Sequence, residues 1–588
     1  MKHILKLFKP YIGWFTVLAI FTYFSVMANL WLPDKMADIV NDGIIAQNLD
    51  SIWHNGLLMI GVTAIGGVCA VIVGFLASRI ATGLSKHLRE NLFTRVEKFS
   101  MSDFNSFSTA SLITRSTNDI QQVQMTTTML LRVALMAPLM AIGGIQKALQ
   151  NAPSMAWIIA LAVAILFVII IILFKIAVPK FKKLQELVDK LNLVTRENLT
   201  GLRVVRSFHN EKIEQDKFQT VNKELTGLNL FVNRLMMMLD PIMTLIMNVG
   251  GIFVIWIGAH LISTGDLEIG NMLAFLQYAM QVIISFLMIS MVFIMVPRAA
   301  VSVRRIGEIL DTIPTITDPE EPQSLASNGK GMIEFRDVTF TYPDADLPVI
   351  TNINFVAKPG QTTAFIGSTG SGKSTLINLI PRFYDVSAGQ ILLDGIDIRN
   401  IKLHDLYDQI GYVPQKGVLF SGSIASNIAY GNTKIDDKLV KKSAEIAQAT
   451  DFINSSQEGY DREISQGGNN VSGGQRQRLS IARALAVEPN VYIFDDSFSA
   501  LDFKTDAKLR AALAKETKDK TVLIVGQRIN TIANAENIIV LDEGKIVGQG
   551  THSELMSSCK VYQEIAASQL SDEELDNIGN FKLTEEAA

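Results

Sequence analysis

Gly367-Ser-Thr-Gly-Ser-Gly-Lys373-Ser374-Thr375 is the stretch of the chain with the most chemistry in it. Gly367, Gly370 and Gly372 carry no Cβ, so the backbone N–H groups of such a loop can close around phosphate oxygens. A strand-like run, Thr362–Ile366, precedes the loop, and a helical run starts at Lys373. The positive end of that helix dipole would face the same anion. In the spacing G-x-x-x-x-G-K-[ST], Lys373 reaches the β- and γ-phosphates of ATP and the Ser374 hydroxyl holds Mg²⁺. Ser368, Thr369, Ser371 and Thr375 complete the cradle.

Two further stretches fit the same chemistry. Val491-Tyr-Ile-Phe-Asp495-Asp496 is an apolar strand ending in acid. This is the Walker B pattern, in which the first Asp orients the Mg²⁺ shell. Val471-Ser472-Gly473-Gly474-Gln475 opens the helical run Arg476-Gln-Arg-Leu-Ser-Ile-Ala-Arg. A Ser-Gly-Gly turn on a helix N-terminus is another anion cradle. One chain thus carries two separate phosphate devices. Two ATP bound per dimer, each between one chain's loop and the other chain's turn, would account for both.

These motifs must be held by a core, and 588 residues are too many for one core. Hydrophobic residues make up 48% of the chain, and mean hydropathy is +0.27. The excess lies in the first half. A bilayer-crossing helix needs roughly 20 mostly apolar residues. Runs near Trp14–Leu32, Leu57–Ile80, Thr127–Ile145, Trp157–Val178, Ile242–Ile262 and Met272–Val296 qualify. The first is too long for a cleavable signal peptide and lacks a small-residue cleavage site. Net charge is −4, so nothing favours a nucleic-acid partner. The two cysteines, Cys69 and Cys559, make neither a disulfide framework nor a zinc site.

Basic residues orient the spans. Lys2, Lys6 and Lys9 precede the first run, whereas the loop after it carries Asp34, Asp38, Asp42 and Asp50. Lys86, Arg89, Arg95 and Lys98 follow the second run, and Lys180, Lys182, Lys183 and Lys190 follow the fourth. Both termini and two long inner loops, about 81–125 and 180–236, are therefore expected on the cytoplasmic side. Those loops are charged and helical in pattern, as in Leu184-Gln-Glu-Leu-Val-Asp-Lys-Leu. They suit levers touching a cytosolic domain, or else solvated loops. The expected division is a transmembrane domain over 1–310, a Pro-rich linker over 311–331, an α/β nucleotide-binding domain over 332–568 and an acidic tail over 569–588. An antiparallel β portion is expected at the start of the α/β domain.

Taken together, the motifs resemble an ABC exporter half-transporter, and the resemblance covers nearly the whole chain. It implies an all-α membrane domain of six helices with long cytoplasmic extensions, fused to an α/β P-loop ABC ATPase domain. Tyr342 resembles the aromatic that stacks on adenine. Gln415, in Gly-Tyr-Val-Pro-Gln, resembles the Q-loop glutamine that contacts Mg²⁺. Val471–Gln475 resembles the signature motif with Val for Leu, and Ser499-Ala-Leu-Asp502 resembles the D-loop. Glu197-Asn-Leu-Thr-Gly-Leu-Arg-Val-Val-Arg-Ser-Phe-His resembles an exporter loop that presses on the partner's ATPase domain. ATP and Mg²⁺ are the implied cofactors, and the cell membrane of a bacterium is the implied location.

The chain departs from that family where hydrolysis is performed. The residue after the Walker B Asp is normally Glu, which polarises the attacking water; here it is Asp496. The switch position is normally His; here Ile524-Val-Gly-Gln527-Arg528 places Gln there. Gln466 also stands where such exporters often carry Glu. Asp is one methylene shorter than Glu, and a misplacement of about 1 Å can cost ~10²-fold in rate. The expected result is a degenerate site that binds ATP and hydrolyses it slowly. An intact signature turn would complete the good site of a homologous half-transporter, giving a heterodimer like those of bacterial multidrug exporters.

The cargo is read less sharply. Methionines cluster at Met236, Met237, Met238, Met243 and Met247 in the fifth span and at Met272, Met280, Met288, Met291 and Met295 in the sixth, where Met280, Met288 and Met295 recur at helical spacing. Thioethers adapt to many apolar shapes, and Phe275, Tyr278, Phe286 and Phe293 could add aromatic walls. Asp240 starts the fifth span, where an acid without a partner is costly. It is expected either to counter a cationic substrate or to cap a helix. Asp240, Met280 and Met288 are thus the substrate candidates for an amphipathic, drug-like compound exported across the bilayer. A lipid or peptide exporter with the same engine, and an ATP-gated channel or regulatory subunit, are the alternatives.

Overall fold

The computed structural model describes residues 9–326, 329–431 and 436–569. Lys2, Lys6 and nearly all of the acidic tail lie outside the described residues. The chain divides into two compact units. One comprises residues 1–97 and 109–312, and the other comprises 98–108 and 313–588. The short segment 98–108, which the sequence reading assigned to the membrane half, packs with the second unit.

Among the described residues, six helical stretches in the first unit are long and apolar enough to cross a membrane: Lys9–Ile45, Leu49–Glu97, Thr109–Asn151, Pro153–Thr200, Glu211–Thr264 and Ile269–Asp311. Their main helices are α1 (Ile12–Asp38), α2 (Leu49–Glu97), α4 (Met136–Asn151), α5 (Ala156–Thr200), α6 (Glu211–Met237), α7 (Leu239–Thr264) and α8 (Ile269–Asp311); between the second and third stretches lies the short α3 (Met101–Ser106), which belongs to the second unit. At 1.5 Å per residue the 49 residues of α2 run about 74 Å. That is more than twice the ~30 Å of a hydrocarbon core. The charged stretches expected as inner loops are thus helical continuations of the spans. Large apolar side chains such as Val71 and Trp256 face outward, about 70% exposed, as suits contact with lipid.

Two expectations about this unit change. Asp34 does not sit in a loop. Helix α1 continues through it to Asp38, and its carboxylate accepts from Lys147 Nζ at 2.6 Å, Asn151 Nδ2 at 3.0 Å and Tyr278 OH at 2.6 Å. Three donors make the acid tolerable inside a bundle, and the cluster ties α1, α4 and α8 together. Phe275 and Tyr278 are fully buried in the core of this bundle. They are packing residues and not walls of a cargo site.

The second unit is α/β. Its strands are β1 (Ile333–Phe340), β2 (Ile350–Ala357), β3 (Thr362–Gly367), β4 (Ala388–Leu393), β5 (Ile396–Asp397), β6 (Ile410–Val413), β7 (Gly422–Ser423), β8 (Glu463–Ile464), β9 (Val491–Asp495), β10 (Thr521–Val525), β11 (Asn537–Asp542) and β12 (Lys545–Gly550). An antiparallel sheet has the order β2-β1-β4-β5, as expected for the start of the domain. The larger sheet has the order β12-β11-β3-β10-β9-β6, and all its pairs except β11–β12 are parallel.

Its central strands are apolar on both faces, as a doubly covered parallel sheet requires. Ile493, Leu523 and Val525 enter one core, and Phe494, Val522 and Ile524 the other. The helices that carry motifs are α9 (Lys373–Leu379), α10 (Gly473–Leu485) and α11 (Phe503–Glu516). The short α3 is closed by a reciprocal cap: Ser100 Oγ accepts from Asp103 N, and Asp103 Oδ2 accepts from Ser100 N. The same carboxylate accepts from Thr315 N at 3.0 Å.

Replacing Asp34 by Ala removes the acceptor of Lys147 and Tyr278. Allowing for partial exposure, the expected loss is about 1–3 kcal/mol, read as a lower melting temperature of the detergent-solubilised protein. The double variant Asp34→Ala/Lys147→Met should recover part of the loss, since no cation is then stranded.

Candidate nucleotide site

Register places the parts of the site. Val525 pairs with Phe365 on one side and with Asp495 on the other. The carboxyl ends of β3, β10 and β9 therefore lie level and adjacent. That edge is where ligands bind in open α/β sheets. The glycine loop leaves β3, the acid pair leaves β9 and Gln527 leaves β10.

Within the loop, Gly372 has φ +94°, and a Cβ there would come 2.6 Å from Ile350 Cγ2. Only glycine fits such a backbone without strain. Lys373 Nζ donates to the carbonyls of Gly367 at 2.9 Å and Ser368 at 2.7 Å, and to Ser371 Oγ at 3.3 Å. The ammonium is thus folded onto its own loop. Burial draws its pKa down, and the charges of Asp496 and Asp495 push it back up. Ser374 Oγ donates to Asp495 Oδ1 at 3.0 Å. Burial raises the Asp495 carboxyl above the usual range, while this bond opposes the rise. A hydroxyl and a carboxylate side by side are hard oxygen donors of the kind that suits Mg²⁺.

Asp496 sits in the left-handed region at φ +46°. Asp is among the few residues that tolerate it. The turn is fixed by its own N–H, which donates to Val525 O at 3.1 Å. Two side-chain amides then converge on one carboxylate oxygen. Gln415 Nε2 lies 3.2 Å and Gln527 Nε2 2.7 Å from Asp496 Oδ2. Burial pushes this carboxyl up, and the bonds from Gln415 and Ser499 hold it down. The structure therefore brings Lys373, Ser374, Gln415, Asp495, Asp496 and Gln527 into one cluster.

The remaining expected residues fall elsewhere. Tyr342 lies beside the loop, its OH 3.0 Å from Thr375 Oγ1 and its ring edge-on to Tyr384 at 5.3 Å. Ser472 and Gln475 form a capping box on α10, each side chain bonded to the other's backbone N–H. Gly473 is exposed, and a Cβ there would meet nothing within 4 Å. Asp502 caps α11 by accepting from Thr505 N at 3.0 Å, and that bond holds its carboxyl below the usual range. In the first unit, Asp240 lines a cavity with Met236, Met243 and Met291. Met280 and Met288, expected at the same site, are not among its lining residues. In a span apolar on every side, helical spacing does not select the face.

One functional contact has no signal in the sequence. Gln569, beyond the last helix, donates from Nε2 to Gln527 O at 2.8 Å and accepts at Oε1 from Ile529 N at 2.9 Å. Its amide brackets Gln527 and Arg528. Gln569→Ala should remove two hydrogen bonds of about 1 kcal/mol each. Amide hydrogen exchange at Ile529 should rise roughly fivefold or more, while exchange in the glycine loop stays unchanged.

Comparison with known proteins agrees with this geometry. Residues 12–286 match the family of ABC transporter transmembrane regions, and residues 350–499 match the ABC transporter family. An uncharacterized ABC transporter ATP-binding protein of Mycobacterium tuberculosis (strain CDC 1551 / Oshkosh) is 40% identical over 564 residues, 95% of this chain and 97% of the relative. The protein YfiB of Bacillus subtilis (strain 168), also an uncharacterized ABC transporter ATP-binding protein, is 36% identical over 97% of this chain and 99% of its own. An ATP-dependent lipid A-core flippase of Syntrophus aciditrophicus is 30% identical over 98% of this chain and 95% of its own. The solved structure of a bacterial Atm1-family ABC exporter with ATP bound has a TM-score of 0.79 at 24% identity, covering 96% of this chain and 99% of that one, a likeness of fold. This chain belongs to the ABC transporter family, as an exporter-type half-transporter that joins a transmembrane region and an ATPase domain in one polypeptide.

Proposed function

We propose that this half-transporter is the degenerate-site subunit of a heterodimeric exporter that moves amphipathic or drug-like compounds out across a cell membrane. One observation supports this reading most: the carboxylate where the attacking water would be polarised is the short Asp496, and Gln415 and Gln527 amides already bond it. An amide at the switch position can donate a hydrogen bond but brings no positive charge to a γ-phosphate. The chain's own site thus grips ATP through Lys373 and the loop amides and turns it over slowly. Ser374, Asp495 and Gln415 would hold Mg²⁺, which would neutralise charge on the phosphates.

The signature turn supports the second half of the proposal. Ser472, Gly473 and Gly474 open α10 in a self-capped turn whose exposed face suits a partner's nucleotide. A homodimer would combine two blunted sites, whereas a partner bearing Glu and His would supply one good site. Exposed Val204 and Phe208, at the tip between α5 and α6, give an apolar knob for the partner's ATPase domain. ATP closure of the paired domains then turns the spans from inward- to outward-facing, and hydrolysis at the partner's site resets them. With this topology the ATPase domain and both termini are cytoplasmic. A lipid cargo is the second reading, favoured by the 30% identity to a lipid A-core flippase.

The test is ATPase activity of the purified chain alone and with its homologous partner. The chain alone should be slow and the pair fast, and equal rates would overturn the heterodimer. Asp496→Asn should leave most of the pair's turnover, whereas removing the partner's Glu should abolish it. The double variant Asp496→Glu/Gln527→His should raise hydrolysis by the isolated chain, by about 10²-fold if carboxylate reach is the main defect.

A further inference from the structure

The first unit holds a cavity of about 770 Å³ between α5, α6, α7 and α8. Its size falls within the ~300–1,000 Å³ of small-molecule sites. The walls are almost wholly apolar, with Ile170 and Phe181 from α5, Met236 and Met243 from α6 and α7, and Met291 from α8. Asp240 is the only charged residue among those that line it.

That carboxylate is not used by the fold. Helix α7 has Met238 at its N-cap, with no side-chain capping bond. Among the described residues no hydrogen bond or ion pair reaches Asp240. An acid beside a membrane span costs free energy unless a counter-charge or water meets it. Asp240 is exposed, so water can meet it, and a cationic ligand can replace that water with a counter-charge. Thioethers and one phenyl ring suit a bulky, poorly hydrated cation, whose charge is spread over apolar surface. A phosphorylated lipid headgroup would bring like charge against Asp240.

We propose that the cavity lined by Asp240, Met236, Met243, Met291 and Phe181 binds lipophilic organic monocations, with the cationic centre beside the Asp240 carboxylate. This rests on the exporter reading for its purpose but not for its geometry. The ligand's charge selects the site, and its apolar groups fill the walls.

The experiment uses the full chain, with its partner, in lipid nanodiscs without nucleotide. The probes are tetraphenylphosphonium and tetraphenylborate, which share one shape and differ in sign, and binding is read by equilibrium dialysis. The wild type should bind the cation through this cavity. Asp240→Asn should weaken cation binding by about tenfold and leave the anion unchanged or stronger. Leu287→Trp, which fills the cavity from α8, should weaken cation binding without touching the acid. Because it keeps Asp240, it serves as the second readout if Asp240→Asn fails to fold. Cation affinity that neither variant changes overturns the proposal. Failure of ATP-driven dye uptake into inverted vesicles, with charge-selective binding intact, would instead overturn the exporter reading and leave the site standing.

Discussion

The ATPase unit depends on the register of three parallel strands. Because Val525 pairs with both Phe365 and Asp495, the loops leaving β3, β9 and β10 emerge at one level. Side chains alternate along a strand, so a slip of one residue would turn Ile493, Leu523 and Val525 out of their core. The cores on both faces therefore fix the level at which Ser374, Asp495 and Gln527 meet. Asp496 adds a second constraint. Its left-handed backbone, tied by its N–H to Val525 O, aims a short carboxylate at two amides. That placement follows from the sheet.

A contiguous set of contacts joins α3 to the glycine loop. Asn105 Nδ2 donates to Tyr384 OH at 3.2 Å. The Tyr384 ring packs edge-on to Tyr342 and tilted against Phe340, and Tyr342 OH meets Thr375 at the loop's end. Aromatic rings in edge contact are stiff, with preferred geometry. Spatial continuity alone does not establish coupling, but it explains why segment 98–108 packs with the ATPase unit although it is joined at both ends to helices of the other unit.

What the sequence revealed follows from which constraints are local. The glycine loop was legible because a positive φ at Gly370 and Gly372 is a property of single residues. The spans were legible because run length alone distinguishes them. Asp34 was misplaced because three donors more than 100 residues away make it tolerable in a helix. Gln569 was missed because its partners lie 40 and 42 residues back, and a surface glutamine carries no pattern. Met280 and Met288 were chosen by periodicity, which separates faces in water but not in a span apolar all round.

The two halves of the proposed asymmetry make different demands on the chain. A signature turn needs only small residues and a cap, and Ser472 and Gln475 supply both from within α10. It can remain competent whatever happens at the acid pair. Hydrolysis needs a carboxylate placed to within about 1 Å; Asp496 is one methylene shorter than Glu and accepts from two amides, which is the ground of the proposed slow site. The two amides leave the buried Asp496 carboxylate hydrogen-bonded. Under the proposed reading, a chain so built would hold its nucleotide while a partner set the turnover rate.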